Sequence, residues 1–319
     1  LIRFREGFPE QIGGWVKQSA NRFLGTCRAL HPFVTLARTT YIGLGTQLKY
    51  YLASGGAYTD ITPIRETATL SGPFAASNGF TTLTVTDTSH GAIAGDFVTF
   101  SGATSLGGNV TAAILNAEHE IASITSSNVY LITLSVTANA SASGNGGTVT
   151  AAYQINIGLN TVVLGSGWGA GTWGADGYGS ASTESVETGT LRLWSHDSFG
   201  EDLLINPRDG GIYYWDATSP SNRATNITAA TGTSQPQVAK QILVSDKDRH
   251  VLAFGCDPET NAGVQDPLLI RFSNQESFTD WASTADNTAG DLRLGVGTTF
   301  VAAVETNRET LVFTDVSLH

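Results

Sequence analysis

Methionine is missing from all 319 positions, including the first, which leads us to expect that the opening residues of the reading frame are absent or processed. Cysteine is nearly missing too. Cys27 and Cys256 are too far apart in sequence for a metal knuckle or a disulfide framework, and both read as small core residues. Charge is scarce: 14% of the residues are charged, against a usual share of about 25%, so Ser, Thr, Asn and Gly must supply most of the polar surface. The charge present is acidic, a net −11. That excludes a surface that grips nucleic acid through clustered Lys and Arg, though not one that DNA slides past. No apolar run reaches the ~18 residues of a membrane helix, and the N-terminus lacks the basic, apolar, small-residue order of a signal peptide. No membrane insertion is expected.

Glycine is abundant: 36 residues, spread without a collagen period, imply many turns and therefore many short strands. The length is roughly twice the ~150-residue prior for one domain, so two domains or one large repetitive one are expected. From residue 27 to 65 the chain reads as an antiparallel meander. Phe33-Val34-Thr35-Leu36, Thr40 to Gly45, Leu48 to Leu52 and Tyr58 to Ile61 are separated by turn residues such as Gly55-Gly56. The rhythm returns as Arg192 to Ser195, Glu201 to Asn206, the turn Asp209-Gly210-Gly211 and Ile212 to Asp216. It recurs from Gln241 to Ser273, and in part from Phe300 to Glu305 and Thr310 to Asp315. A unit of strand, polar turn, strand and short aromatic strand at a spacing of about 40 to 50 residues is blade-like. The fold class expected is all-β, with β-propeller-like blades of antiparallel strands favoured over a stacked sandwich.

Residues 66 to 152 differ in texture, with few aromatics and much Ala, Ser, Thr and Gly. Thr82 to Thr86, Asp96 to Phe100, Glu120 to Ile124 and Val129 to Leu134 alternate with period two. They predict an inserted small β-barrel or sandwich whose ends, near Arg65 and Tyr153, lie close together. The domains expected are 1–65, the first part of the propeller-like domain; 66–152, the insert; and 153–319, the continuation, incomplete at its C-terminus because the strand at Leu311 to Asp315 stops where a partner should follow. The Gly/aromatic loop at 165–180 carries Trp168, Trp173 and Tyr178. It packs on its own domain, enters a neighbouring subunit or forms a sugar-stacking platform.

No phosphate-binding Gly-rich loop, nucleophile elbow or paired-histidine metal motif occurs. His119-Glu120 begins like a zinc helix but sits in a β pattern, and reads as a solvated strand edge. The best acidic clusters are Asp197, Glu201 and Asp202 beside His196, and Asp246 with Asp248 beside His250. Either could do acid–base work if its members converged, yet Asp with Ser and Gly is also turn chemistry, and the structural reading is favoured for both. No catalytic, cofactor-binding or metal residues are expected, and no enzyme. Asn109, Asn139 and Asn226 begin Asn-x-Ser/Thr triplets that this composition yields by chance. Trp15, Trp194, Trp215 and Trp281 are expected to anchor the core or the contacts between blades.

Several phrases in common order resemble the tail-tube and nozzle (tail hub) structural proteins of short-tailed or marine phages. They are Phe8 to Trp15, Leu44-Gly45-Thr46-Gln47-Leu48-Lys49-Tyr50, Asp60 to Arg65, the Trp/Gly loop, Phe199 to Leu203 and Asp291 to Leu294. The resemblance spans residues 1–65 and 153–319. It implies a virion protein assembled as a ring of six copies around the tail axis. Adaptor and portal-side tail proteins and tail fibres or spikes would be its partners, and genomic DNA would pass through the channel without specific binding. An acidic lining would suit retention and ejection of the genome. The rival is a carbohydrate-binding or carbohydrate-active propeller that recognises the host surface.

Overall fold

The computed structural model describes residues 2–11, 19–160 and 191–319; Trp15 and the 165–180 loop lie outside them. All the sheets are antiparallel. A hairpin of β1 (Ile2–Arg5) and β2 (Phe8–Gln11) comes first. Then β3 (Cys27–Val34), β4 (Thr40–Thr46), β5 (Tyr50–Ser54) and β6 (Ala57–Asp60) form a four-stranded meander in sequence order. The β5–β6 turn is Gly55-Gly56, with φ of +57° and +83°, the left-handed pair that a tight hairpin turn demands.

Nine elements then build an eight-stranded sheet and one short helix. They are β7 (Ile64–Ser71), β8 (Phe74–Ala76), β9 (Thr82–Thr86), β10 (Phe97–Ser101), α1 (Ala112–Leu115), β11 (Glu118–Ser126), β12 (Val129–Thr133), β13 (Ala142–Asn145) and β14 (Thr148–Gln154) with its flanking turns. The strand order is β13-β8-β9-β12-β11-β10-β14-β7. Because β7 and β8 are consecutive in the chain but lie at opposite ends of that order, as β14 and β13 do, the backbone crosses from one edge to the other around a shared interior. Gly72, at φ +56°, makes the corner, donating to the Gly147 carbonyl at 2.8 Å. Phe74, Leu83, Val85, Phe100, Ile121 and Tyr130 fill the interior. Period-two alternation in β9 and β12 follows from one face being buried. The expected ends meet: Gln154 is in register with Ile64 and Ile155 N–H donates to the Pro63 carbonyl at 3.0 Å. The flanking strands begin two residues before 66 and end two after 152, an extent that the Ala- and Thr-rich alternation did not reveal.

A second meander follows, of β15 (Trp194–Phe199), β16 (Asp202–Pro207), β17 (Tyr213–Trp215) and β18 (Thr225–Asn226). The third has β19 (Gln241–Val244), β20 (Val251–Phe254), β21 (Leu269–Phe272) and β22 (Gly290–Arg293). A two-stranded sheet of β23 (Phe300–Glu305) and β24 (Thr310–Thr314) closes the described chain.

These sheets stack in chain order. Phe33, Tyr50 and Leu52 of the first pack on Leu203, Ile205 and Trp215 of the second. Leu204 and Ile212 meet Ile242, Val251 and Trp281 of the third. Phe254, Ile270 and Leu294 meet Phe300, Ala303 and Val312 of the last. A strand inside the stack is buried on both faces, so Leu203-Leu204-Ile205 reads as a continuous apolar run where β9 alternates. Trp194, Trp215 and Trp281 are all buried in these layers.

The eight-stranded sheet joins the first meander through charge. Lys49, 2% exposed, bonds to Asp60 at 2.8 Å and to Glu118, and lies 4.4 Å from the Phe97 ring centre. Arg223 completes the square, 3.1 Å from Asp60 and 3.2 Å from Glu118. Burial pushes the Asp60 carboxyl upward, but Arg223, Lys49 and the Thr62 hydroxyl together outweigh it and hold the group below its ordinary value.

Candidate functional site

The first strands of the sheets, β3, β15, β19 and β23, are neighbours in space. They are joined by side chains, not by a backbone ladder. Ser195 Oγ accepts from Ile242 N–H at 3.0 Å, and Asp197 Oδ2 from Val244 N–H at 2.8 Å. Gln241 holds both backbone groups of Ala303, at 2.8 and 3.0 Å. Glu305 Oε1 accepts from Asp246 N–H at 3.0 Å, and Glu201 Oε2 from Leu36 N–H at 3.2 Å. In each pair the residue numbers rise together, so the four strands run parallel, and these clasps satisfy edge groups that would otherwise lack partners.

The acidic cluster of the sequence therefore has a structural place. His196 and Asp197 lie inside β15, which runs to Phe199, beyond the expected strand end at Ser195. Asp197 also accepts from Ser198 N–H at 2.8 Å. Burial raises its carboxyl above the ordinary value, opposed by these two N–H groups and by His31. Asp202 accepts from the Tyr214 hydroxyl at 2.5 Å and from Ala217 N–H at 2.9 Å. The carboxylates thus hold separate strands and do not converge on one point.

Beside the β3–β15 joint sits a half-buried imidazole pair. His31 and His196 have ring centres 5.0 Å apart. His31 Nε2 is 2.9 Å from Ser198 Oγ, and His196 Nδ1 is 2.7 Å from the Tyr50 hydroxyl. Burial, then the neighbouring His31, lowers the His196 pKa to about 4; burial also lowers His31, against the pull of Asp197. Tyr50 is pushed well up by burial, so the phenol donates and a neutral His196 accepts.

The second acidic group does not converge either. Asp246 and Asp248 lie in the β19–β20 turn, and His250 Nδ1 turns away to the Ser273 carbonyl at 2.6 Å, with Phe272 edge-on to its ring. His119 corrects an expectation: β11 runs between β12 and β10, not at an edge. Its Nε2 lies 3.2 Å from the Leu115 carbonyl, and its ring leans on Phe100. Cys27 corrects another, since it is exposed while Cys256 is buried; the first strand begins outside the packed layer. Asn109 and Asn139 clasp each other, each amide oxygen accepting the other's backbone N–H, at 3.0 and 3.1 Å. Asn226 accepts from Thr228 N–H at 2.9 Å. Among the described residues, no cluster of three His, Cys, Asp or Glu could hold a metal ion, and no helix is long and apolar enough to cross a membrane.

One groove is a feature that the sequence did not announce. A groove of about 760 Å³ lies against the first meander, lined by Phe23, Tyr58, Ile42, Ala53, Asn21 and Arg22 among others. Phe23 packs edge-on against Tyr58, ring centres 5.3 Å apart. Asn21 Nδ2 and Ser19 Oγ both donate to the Gly56 carbonyl, at 2.9 and 2.6 Å, which ties the 19–23 segment to the β5–β6 turn. Aromatic rings with an amide and a guanidinium at the rim can stack on and hydrogen-bond a polar ring.

No protein-family model matches the sequence, and no curated protein does. Among solved structures the chain is similar to the phage phi92 endosialidase, at 16% identity, over 90% of this chain and 40% of that one, with a TM-score of 0.26. The chain thus spans less than half the length of that protein, and a likeness at this TM-score assigns neither fold nor activity; what stands is an all-β chain of stacked antiparallel sheets.

Proposed function

We propose that this chain is a structural component of a phage tail, a propeller-like array of blades carrying the 66–152 β domain as an insert, and that it works by assembly and not by catalysis. The observation that carries this reading is the disposition of its side chains. Asp197, Glu201 and Asp202, the best acid–base candidates, are engaged in holding strands together, whereas apolar side chains on the outer face of the first meander stand open, with Leu30 60% and Val34 57% exposed. An exposed apolar sheet face marks an interaction surface. The phrases resembling tail-tube and nozzle proteins support the virion as the setting. The proposed partners are further copies in a ring, the adaptor and portal-side proteins, and tail fibres. Genomic DNA would pass an acidic lining without being held.

The experiment is negative-stain microscopy and light scattering of the purified protein, alone and with tails that lack it. Incorporation into tails supports the reading; a protein that ignores tails refutes it.

The groove beside Phe23 and Tyr58 favours a second reading, a carbohydrate-binding module that recognises the host surface. Glycan binding by the isolated protein, lost in Tyr58→Ala, would select it.

A further inference from the structure

Cations held below the surface of this chain find acceptors. Lys49, Arg65 and Arg223 each meet a carboxylate, Arg28 and Arg192 donate to the backbone carbonyls of Asn160 and Asn156, and Arg271 is boxed in by backbone carbonyls. Among the described residues, half-buried Arg208 is the exception: its guanidinium makes no hydrogen bond and no ion pair. Its neighbour Asp209 is engaged elsewhere, accepting from Gln265 Nε2 at 3.1 Å. Lys240, also half-buried, has only a hydroxyl among the described residues, donating to Thr299 Oγ1 at 2.6 Å, which leaves its ammonium with N–H groups to spare. Both side chains line one cavity of about 310 Å³, where the chain enters β15, β19 and β23. Leu193, Trp194 and Phe300 give it an apolar wall. The polar groups between them are spent on the seams, Ser195 Oγ on Ile242 N–H and the Gln241 amide on Ala303. Among the described residues no carboxylate lines the cavity. The acids lie at the other end of these parallel strands: Glu201 just after β15, Asp246 in the turn after β19 and Glu305 at the end of β23.

We propose that this cavity binds a phosphate group, as the free ion or as the ester of a small molecule, with the Arg208 guanidinium and the Lys240 ammonium as its donors. A half-buried cation without a counter-charge is costly, and an anion between the two relieves that cost. A phosphate carries close to two charges at neutral pH, which matches two cations, whereas a carboxylate neutralises one. The planar guanidinium can take two phosphate oxygens at once, and the ammonium serves as a point charge for a third. The small volume and the net charge of −11 disfavour a polyanion, since the surface as a whole repels nucleic acid. The site is separate from both readings above and depends on neither.

Equilibrium dialysis of the purified chain against radiolabelled inorganic phosphate, at constant ionic strength, tests it. A single saturable site per chain is expected. Arg208→Gln and Lys240→Gln are each expected to weaken binding by roughly tenfold to a hundredfold, the span of a hydrogen bond to a charged group. Arg208→Lys keeps the charge and loses the fork, and should weaken it less. Arg249→Gln, which alters an exposed pair with Glu276 at the far end of the strands, should leave it unchanged. Because Arg208 holds nothing together among the described residues, its variants are expected to keep the parent circular dichroism spectrum, and they decide the matter even where Lys240→Gln fails to fold. Glycerol 3-phosphate as competitor separates the two sources: displacement at a lower concentration than unlabelled phosphate assigns an ester, and at an equal or higher one the free ion. Absence of a saturable site, unchanged binding in Arg208→Gln, or displacement by acetate as effective as that by phosphate would overturn the proposal.

Discussion

Gly45 of β4 lies directly under the indole of Trp194 in β15: a Cβ at position 45 would sit 2.4 Å from Trp194 Cδ1. The indole N–H donates to the adjacent Thr46 carbonyl at 2.7 Å, so the ring cannot slide away without losing that bond. The first two meanders are locked together at this point.

Gly45→Ala is therefore expected to destabilise the protein by about 1–3 kcal/mol, the usual cost of overpacking. Gly295→Ala, where an added Cβ meets nothing within 4 Å, should stay within about 0.5 kcal/mol of the parent. Urea unfolding of both variants reads the difference.

Asp197→Ala is expected to cost about 1–3 kcal/mol, because it leaves the backbone N–H of Val244 without its acceptor at the joint of β15 and β19. Thermal unfolding checks the sign, and an unshifted midpoint would reopen a chemical role for this carboxylate.

Lys49→Met removes the buried cation that Asp60 and Glu118 share, while Arg223 still contacts both. A loss of about 2–3 kcal/mol is expected, below the ~3–5 kcal/mol of a fully buried pair. The folded-state pKa of Asp60 lies below its ordinary value, so its contribution is present above the unfolded pKa and disappears as pH falls through the folded one. The variant should show less of this acid-dependent loss in denaturation between neutral and strongly acidic pH.

His196 works over a higher window. Its folded pKa of about 4 lies below the ordinary histidine value of 6.5, so between the two the unfolded chain binds more protons and stability falls as pH falls. The slope approaches 1.4 kcal/mol per pH unit for one proton. His196→Gln is expected to flatten the stability profile between pH 6.5 and 4, a comparison that denaturant midpoints across that range supply.

Much of the strand content was legible because the physics is local. Thr82 to Thr86 alternates since one face is buried, and Phe300 to Glu305 is bounded by polar turns; both segments are strands as read. The extension of β15 through His196 and Asp197 was not legible. Asp beside Ser and Gly has turn propensity, and here the contact with Val244, 47 residues away, overrides it. The Lys49–Asp60–Glu118–Arg223 square was hidden for the same reason, since its members come from four separate segments. The groove at Phe23 was hidden because its floor belongs to β4–β6 and its wall to a Gly-broken segment without a period.

The sheets of the stack have unequal strengths in different directions. Within each sheet, backbone ladders resist shear along the strands; between the sheets, apolar faces and a few clasps such as Asp197 to Val244 and Gln241 to Ala303 carry the load. A force applied across the row therefore loads the seams first and the ladders only once a seam has opened. The stack is laminated, and the short sheets depend on their neighbours, since a hairpin such as β23–β24 is marginal when alone.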